Sequence, residues 1–170
     1  MLTFLFRRLT APGADGERLF DALTAEARQR HWYVEGAVPD TLDGRFAVLA
    51  TIAALAMVRL EQLVDAGNSL SVALTERFIA VMEAEHRQLG LGDPTVGKTV
   101  RKLLGSLSRR TDLWRSALAT TGEWGDCARQ SLYKDAPGAA ALAHATERLK
   151  ALWARLERAD IAALADGRIE

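Results

Sequence analysis

The sequence has a single cysteine, no net charge, no apolar run long enough to cross a membrane and no strand-like alternation. Each absence excludes something. With Cys127 alone there is no internal disulfide and no cysteine-rich metal site, so nothing speaks against a reducing compartment and the cytosol is the default. Twenty-two basic side chains balance 22 acidic ones, which argues against a dedicated nucleic-acid binder while leaving room for local patches. The longest uncharged run, FAVLATIAALAMV from Phe46 to Val58, is flanked by Arg45 and Arg59 and falls short of the roughly twenty apolar residues a span needs. It reads as a buried core helix. The start, MLTFLFRR, sets an apolar cluster ahead of two arginines, the reverse of a secretory signal, and reads as a frayed end with at most weak affinity for a membrane surface.

Helical periodicity fills the rest. A chain of 170 residues with 49% hydrophobic content suits one domain around a single core. GERLFDALTAEARQ, Gly16 to Gln29, follows the possible cap Asp15 and sets Leu19, Phe20, Leu23 and Ala27 on one face. RHWYVEGAVPDT is a loop by its Gly and Pro, after which Asp40 or Thr41 caps the apolar helix; Gly67-Asn68-Ser69 reads as its break. A further amphipathic helix spans about Ser71 to Leu89. The next opens after Asp93 and continues through Val96, Val100, Leu103, Leu104 and Leu107, with a bend expected at Gly105 and its neighbouring serines, before LWRSALA. CARQSLYKD forms a short helix closed by Pro137-Gly138, and the last long helix runs from about Ala139 to Glu157 with a short helical tail. With no convincing strand and no internal repeat, the expectation is all-α: a single compact multi-helix domain over residues 15–170, behind a flexible segment 1–14.

One stretch points elsewhere. GDPTVGKT, Gly92 to Thr99, matches the phosphate-binding pattern G-x-x-x-x-G-K-[ST] letter for letter. That loop needs a buried strand before it and free amides around the phosphates. Here ALTERFIAVMEAEHRQLGL precedes it, with Leu74, Phe78, Val81, Met82 and Leu89 at helical spacing. In the alternative reading Gly90 ends that helix as a left-handed cap, Asp93 caps the next, Pro94 takes its first position, and Gly97 and Lys98 fall inside its first turns. No cradle remains, and no nucleotide is expected. Metal chemistry is equally thin. Glu83 and His86 make one E-x-x-H pair where a carboxylate-bridged site needs two such pairs and two further glutamates, and His144 with Glu147 runs in the opposite order. His31 and Cys127 lack a partner at nucleophile spacing, so no catalytic residue, cofactor or metal ligand is assigned.

Charge is where the chain is uneven. Between Val96 and Arg115 stand six basic residues, Lys98, Arg101, Lys102, Arg109, Arg110 and Arg115, against the single acid Asp112, whereas Glu76 to Asp93 leans acidic. Two readings stand: a solvated face paired with its acidic neighbour, or a partner surface on which Lys98, Arg101 and Lys102 share one side.

Several stretches together resemble the ubiquinol-cytochrome c chaperone family, the assembly factors of respiratory complex III, over about Leu19 to Tyr133. They are WYVEGAVPDTLDGRF (Trp32 to Phe46), MEAEHRQLGLGDPTVGKTVRKL (Met82 to Leu103) and ARQSLY (Ala128 to Tyr133). The middle block is the most specific: in that family an arginine-containing turn, a G-x-G-D loop and a V-G-K-x-V-K-like helix follow one another, here Arg87, Gly90, Gly92, Asp93, Val96, Gly97, Lys98, Val100 and the Arg101-Lys102 pair. The chain departs where Leu107-Ser108-Arg109-Arg110 replaces an F-Y-G-R-like stretch, and where Ile52 stands in place of a histidine common in the family.

The resemblance implies a non-enzymatic chaperone without a cofactor. Its expected partners are newly made cytochrome b and the nearby ribosome, with the inner-membrane surface a further contact. With no room for a transit peptide ahead of the similarity, it implies a bacterial version peripheral to the cytoplasmic face of that membrane. Lys98, Arg101 and Lys102, with Asp93 and Arg45 from the matched blocks, are the candidate contact residues. Trp32 and Tyr33 are candidates for the aromatic rim of a groove that shelters apolar helices, core packing being the other reading of those rings. A helical scaffold that joins proteins without holding a client is the alternative class.

Overall fold

The uncharged run becomes the centre of the molecule. The computed structural model describes residues 14–88, 90, 93–120 and 123–169. In chain order these form α1 (Ala14–Ala27), a 3-10 turn (Arg30–Trp32), α2 (Leu42–Gln62), α3 (Val64–Gln88), α4 (Asp93–Ala119), α5 (Trp124–Leu132), α6 (Ala139–Arg158) and α7 (Ile161–Ala165), with no strand among the described residues. The expected flexible segment lies, up to residue 13, outside them. All nine residues from Ala50 to Val58 are buried, so α2 is apolar on every side and is packed by α1, α3, α4, α5 and α6. Its alanines let neighbouring helices approach closely. Thr41, not Asp40, starts it: the Thr41 hydroxyl accepts the amide N–H of Gly44 at 3.2 Å. Asp15 sits inside α1 rather than capping it.

Around this shaft the helices are closed off by arginines. Arg59, near the end of α2, donates to the carbonyls of Leu156, Glu157 and Ala159 at 3.0, 3.1 and 3.3 Å, occupying orphan acceptors at the C-terminus of α6. Arg110 does the same for α5, donating to the Ser131 carbonyl through Nε at 3.1 Å and Nη2 at 2.8 Å. Burial lowers the Arg110 pKa, with Arg109 adding to the effect.

One expectation about a helix end needs correction. Gly67-Asn68-Ser69 does not break a helix; all three residues lie inside α3, and the turn comes earlier, at Leu63-Val64. Gly67 is there because a Cβ would stand 1.9 Å from the Leu60 carbonyl oxygen as α3 folds back against α2. α4 runs as one helix through Gly105 to Ala119.

The turn itself is unusual. Val64 occupies the left-handed region at φ 53°, a place normally given to glycine at the end of a helix, and its side chain is 63% exposed. A left-handed β-branched residue costs on the order of 1–2 kcal/mol, whereas glycine's extra freedom in the unfolded chain costs about 0.5–1 kcal/mol. Val64→Gly is therefore expected to raise stability by up to about 1 kcal/mol, while Val64→Ala brings no such gain. Thermal denaturation of the three proteins side by side checks it; a Gly variant less stable than the parent would refute the strain.

Candidate interaction surface

The site is built on α4. Gly90, at φ 80°, closes the preceding helix in the left-handed conformation. Asp93 is the first residue of α4. From there Val96, Val100, Leu107, Thr111 and Trp114 turn inward at intervals of three, four or seven residues and are at most 6% exposed. Leu103 and Leu104 are half-buried against the same core. Where the phosphate-loop pattern requires a strand, α3 stands instead, and Gly97, Lys98 and Thr99 already belong to α4.

The six basic residues of this helix divide by direction. Arg110 and Arg115 are structural. Arg110 reaches Ser131 and the backbone carbonyl of Ser106 at 3.2 Å, and its guanidinium lies 6.0 Å from the centre of the Phe46 ring. Arg115 grips both carboxylate oxygens of Glu61 at 2.7 Å and reaches Asp112 at 2.5 Å; these bonds raise its pKa. Lys98, Arg101, Lys102 and Arg109 are exposed, follow one another along one side of α4 and form no ion pair among the described residues. Gly105 lies within this stripe, and a Cβ there would stand 3.5 Å from Nη1 of Arg109, which lies over it.

Next to the stripe the N-terminus of α2 adds a second group of charges. Lys134, just after α5, is bonded to Asp43 at 2.5 Å. That bond and the Lys134 charge hold the Asp43 carboxyl below its usual range, and the charge of Lys102 adds to the effect. Arg45 is exposed and pairs with Asp40 at 2.6 Å; this hydrogen bond lowers the Asp40 pKa and raises that of Arg45. The charges of Arg45 and Asp40 reach the Tyr33 phenol, whose pKa is raised chiefly by burial. The fold thus brings Lys102, Arg45 and Tyr33 toward one end of α2. Sequence reasoning missed Asp43 and Lys134, which are 91 residues apart and carry no pattern that joins them.

The two aromatic candidates behave differently. Trp32 is fully buried, its indole N–H donating to the Glu26 carbonyl at 3.0 Å, so it offers no ring face to a partner: core packing, not a groove rim, is its place. Tyr33 is half-buried and donates its hydroxyl to the Ala27 carbonyl at 2.7 Å, leaving part of the ring accessible. His31, for which the sequence offers no partner at nucleophile spacing, lies in a polar chain. The Gln29 amide N–H donates to the Glu26 carboxylate at 2.8 Å, so its oxygen faces His31 Nε2 at 3.0 Å, and His144 Nε2 stands 3.3 Å from His31 Nδ1. Burial first, then the charges of Arg148 and His144, lower the His31 pKa. His86 Nδ1 is 2.7 Å from the Met82 carbonyl, and Glu83 lies 3.7 Å from Arg87. Among the described residues no three His, Cys, Asp or Glu side chains converge on one point.

Among the described residues the fold is all-α, with an exposed basic stripe and no convergent His, Cys, Asp or Glu groups. The sequence profile described as "Ubiquinol-cytochrome C chaperone" matches residues 35–169. This chain belongs to the ubiquinol-cytochrome C chaperone family. A crystal structure titled as that of the Cbp3 homolog from Brucella abortus superposes on it with a TM-score of 0.75 at 27% identity, covering 98% of this chain and 94% of that one. No curated protein matches it significantly. The profile begins at Glu35, two residues beyond the Trp32-Tyr33 pair, and contains Arg45, Asp93 and the whole α4 stripe.

Proposed function

We propose that this chaperone acts in the assembly of respiratory complex III by holding newly made cytochrome b close to the ribosome and the inner membrane, with the α4 stripe as a contact surface. The observation that carries the surface is the set of four exposed cations, Lys98, Arg101, Lys102 and Arg109, which form no ion pair among the described residues and stand on a helix whose opposite side is core. Unpaired charge of one sign is free to meet a phosphate backbone, an anionic headgroup or an acidic loop without first breaking an internal bond. Arg45, Asp93 and the exposed edge of Tyr33 extend the proposed contact. Among the described residues no helix is long and apolar enough to cross a membrane, so contact with the bilayer through α4 would be peripheral and electrostatic, at the cytoplasmic face of a bacterial inner membrane.

Reversing Lys98, Arg101 and Lys102 together to Glu separates surface from core. Exposed substitutions of this kind cost no more than about 0.5 kcal/mol each, so the variant should melt close to the parent. In a strain lacking the gene it should nevertheless fail to restore assembled complex III and its cytochrome b spectrum, and a tagged copy should recover less cytochrome b. Full rescue at normal protein level would remove α4 from the contact surface. Recovery of partners unrelated to cytochrome b or the ribosome would instead favour a scaffold.

A further inference from the structure

The α2–α3 turn sits where the local sequence does not ask for one. Leu60 to Ala66 reads LEQLVDA, without glycine or proline, and the nearest helix-breaking triplet, Gly67-Asn68-Ser69, is itself helical. A single residue, Leu63, separates the two helices, and Val64 is held at φ 53° to complete the reversal. Local preference and tertiary path disagree here. Strained, very short hinges of this kind favour exchange of segments between copies.

The contacts that cross this hinge make exchange nearly free of other losses. Glu26 to Arg155, Glu17 to Arg77, Asp43 to Lys134, Glu61 to Arg115 and Arg59 to the end of α6 each join a residue before Leu63 to one after it. All could be remade between two chains in the same geometry. Straightening would in addition remove the left-handed Val64 and separate Gly67 from the Leu60 carbonyl.

We propose that two copies of this chain form a dimer by exchanging residues 14–62, with α2 and α3 joined through Leu63 and Val64 into one continuous helix. The closed monomer is favoured by dilution and the exchanged dimer by concentration, because association must offset lost translational freedom.

Refolding the full chain from denaturant, dilute and concentrated, followed by size-exclusion chromatography with light scattering, should give monomer in the first case and an added dimer in the second. Nitroxide labels on Asp43→Cys and Ala80→Cys, in a Cys127→Ala background and diluted with unlabelled chain, then report the path. In the monomer these positions lie near the 6.2 Å contact of the Phe46 and Phe78 rings. In a continuous helix they stand roughly 55 Å apart at 1.5 Å per residue. Val64→Gly, which removes the strain and weakens a continuous helix, should lower the dimer association constant at least about tenfold, because each copy loses the relief. A chain that stays monomeric after concentrated refolding, a dimer that keeps the short Asp43–Ala80 separation, or a dimer indifferent to Val64→Gly would each overturn the exchange.

Discussion

Replacing Trp114 with Ala is expected to cost about 3–5 kcal/mol from lost burial and the cavity left behind, before any polar contribution is counted. Trp114 is fully buried in the middle of the molecule, its ring centre 5.1 Å from that of Trp124 and its indole N–H donating to the Ser131 hydroxyl at 3.1 Å. Ser131 is also where Arg110 caps α5, and it is itself 1% exposed. Truncation therefore opens a cavity and strips a buried hydroxyl of its donor, a group whose desolvation adds about 1–3 kcal/mol when left unmet. Trp114→Phe separates the two effects by keeping most of the ring while deleting the N–H. Urea denaturation of both variants should place Phe well above Ala. Hydrogen exchange should quicken first in α5, the element that Trp114 and Arg110 tie down. A Trp114→Ala protein within about 1 kcal/mol of the parent would mean that the surrounding helices collapse into the space.

Arg155→Met is the second large effect, and its origin is electrostatic. The Glu26 carboxylate is 4% exposed and takes a 2.8 Å bond from Arg155 Nη2 and another from Gln29, while its second oxygen has no hydrogen-bond partner. Arg155 also donates to the Ile169 carbonyl at 3.2 Å, so it joins α1 to the chain end. Removing one member of a buried pair leaves the other charge without compensation, at about 3–5 kcal/mol. The pair as a whole contributes far less, because both ions lost water to form it. Adding Glu26→Gln to Arg155→Met should therefore recover much of the loss, and the double-mutant cycle measured by chemical denaturation gives the coupling directly. Strict additivity of the two substitutions would show that the bridge is not coupled in solution.

How far the sequence could be read depended on which distance a feature acts over. The helices themselves were legible because burial imposes a period of three to four residues, and Leu19, Phe20 and Leu23 or Val96, Val100 and Leu107 display it without help from the rest of the chain. So were the Gly90 cap and the helical setting of the phosphate-loop decoy, which follow from neighbouring residues. The outward stripe of Lys98, Arg101, Lys102 and Arg109 was legible as a charge pattern, but its separation from Arg110 and Arg115 was not. All six are basic residues on one helix, and only their neighbours in space, Ser131 and Glu61, draw two of them into structural roles.

Composition and periodicity by themselves determined the fold class, the order of the helices and the central position of the uncharged segment, because each of these is written in spacing along the chain; the family was carried instead by the resemblance of particular blocks, such as Met82 to Leu103. Only the tertiary structure decided where α2 turns into α3, that Trp32 is core, and that Asp43 meets Lys134 and Arg59 meets the end of α6. The turn at Val64 is bought by contacts on both sides of it rather than by its own residues. The others join positions some 90 residues apart or bury a ring among several helices, and no local preference encodes either.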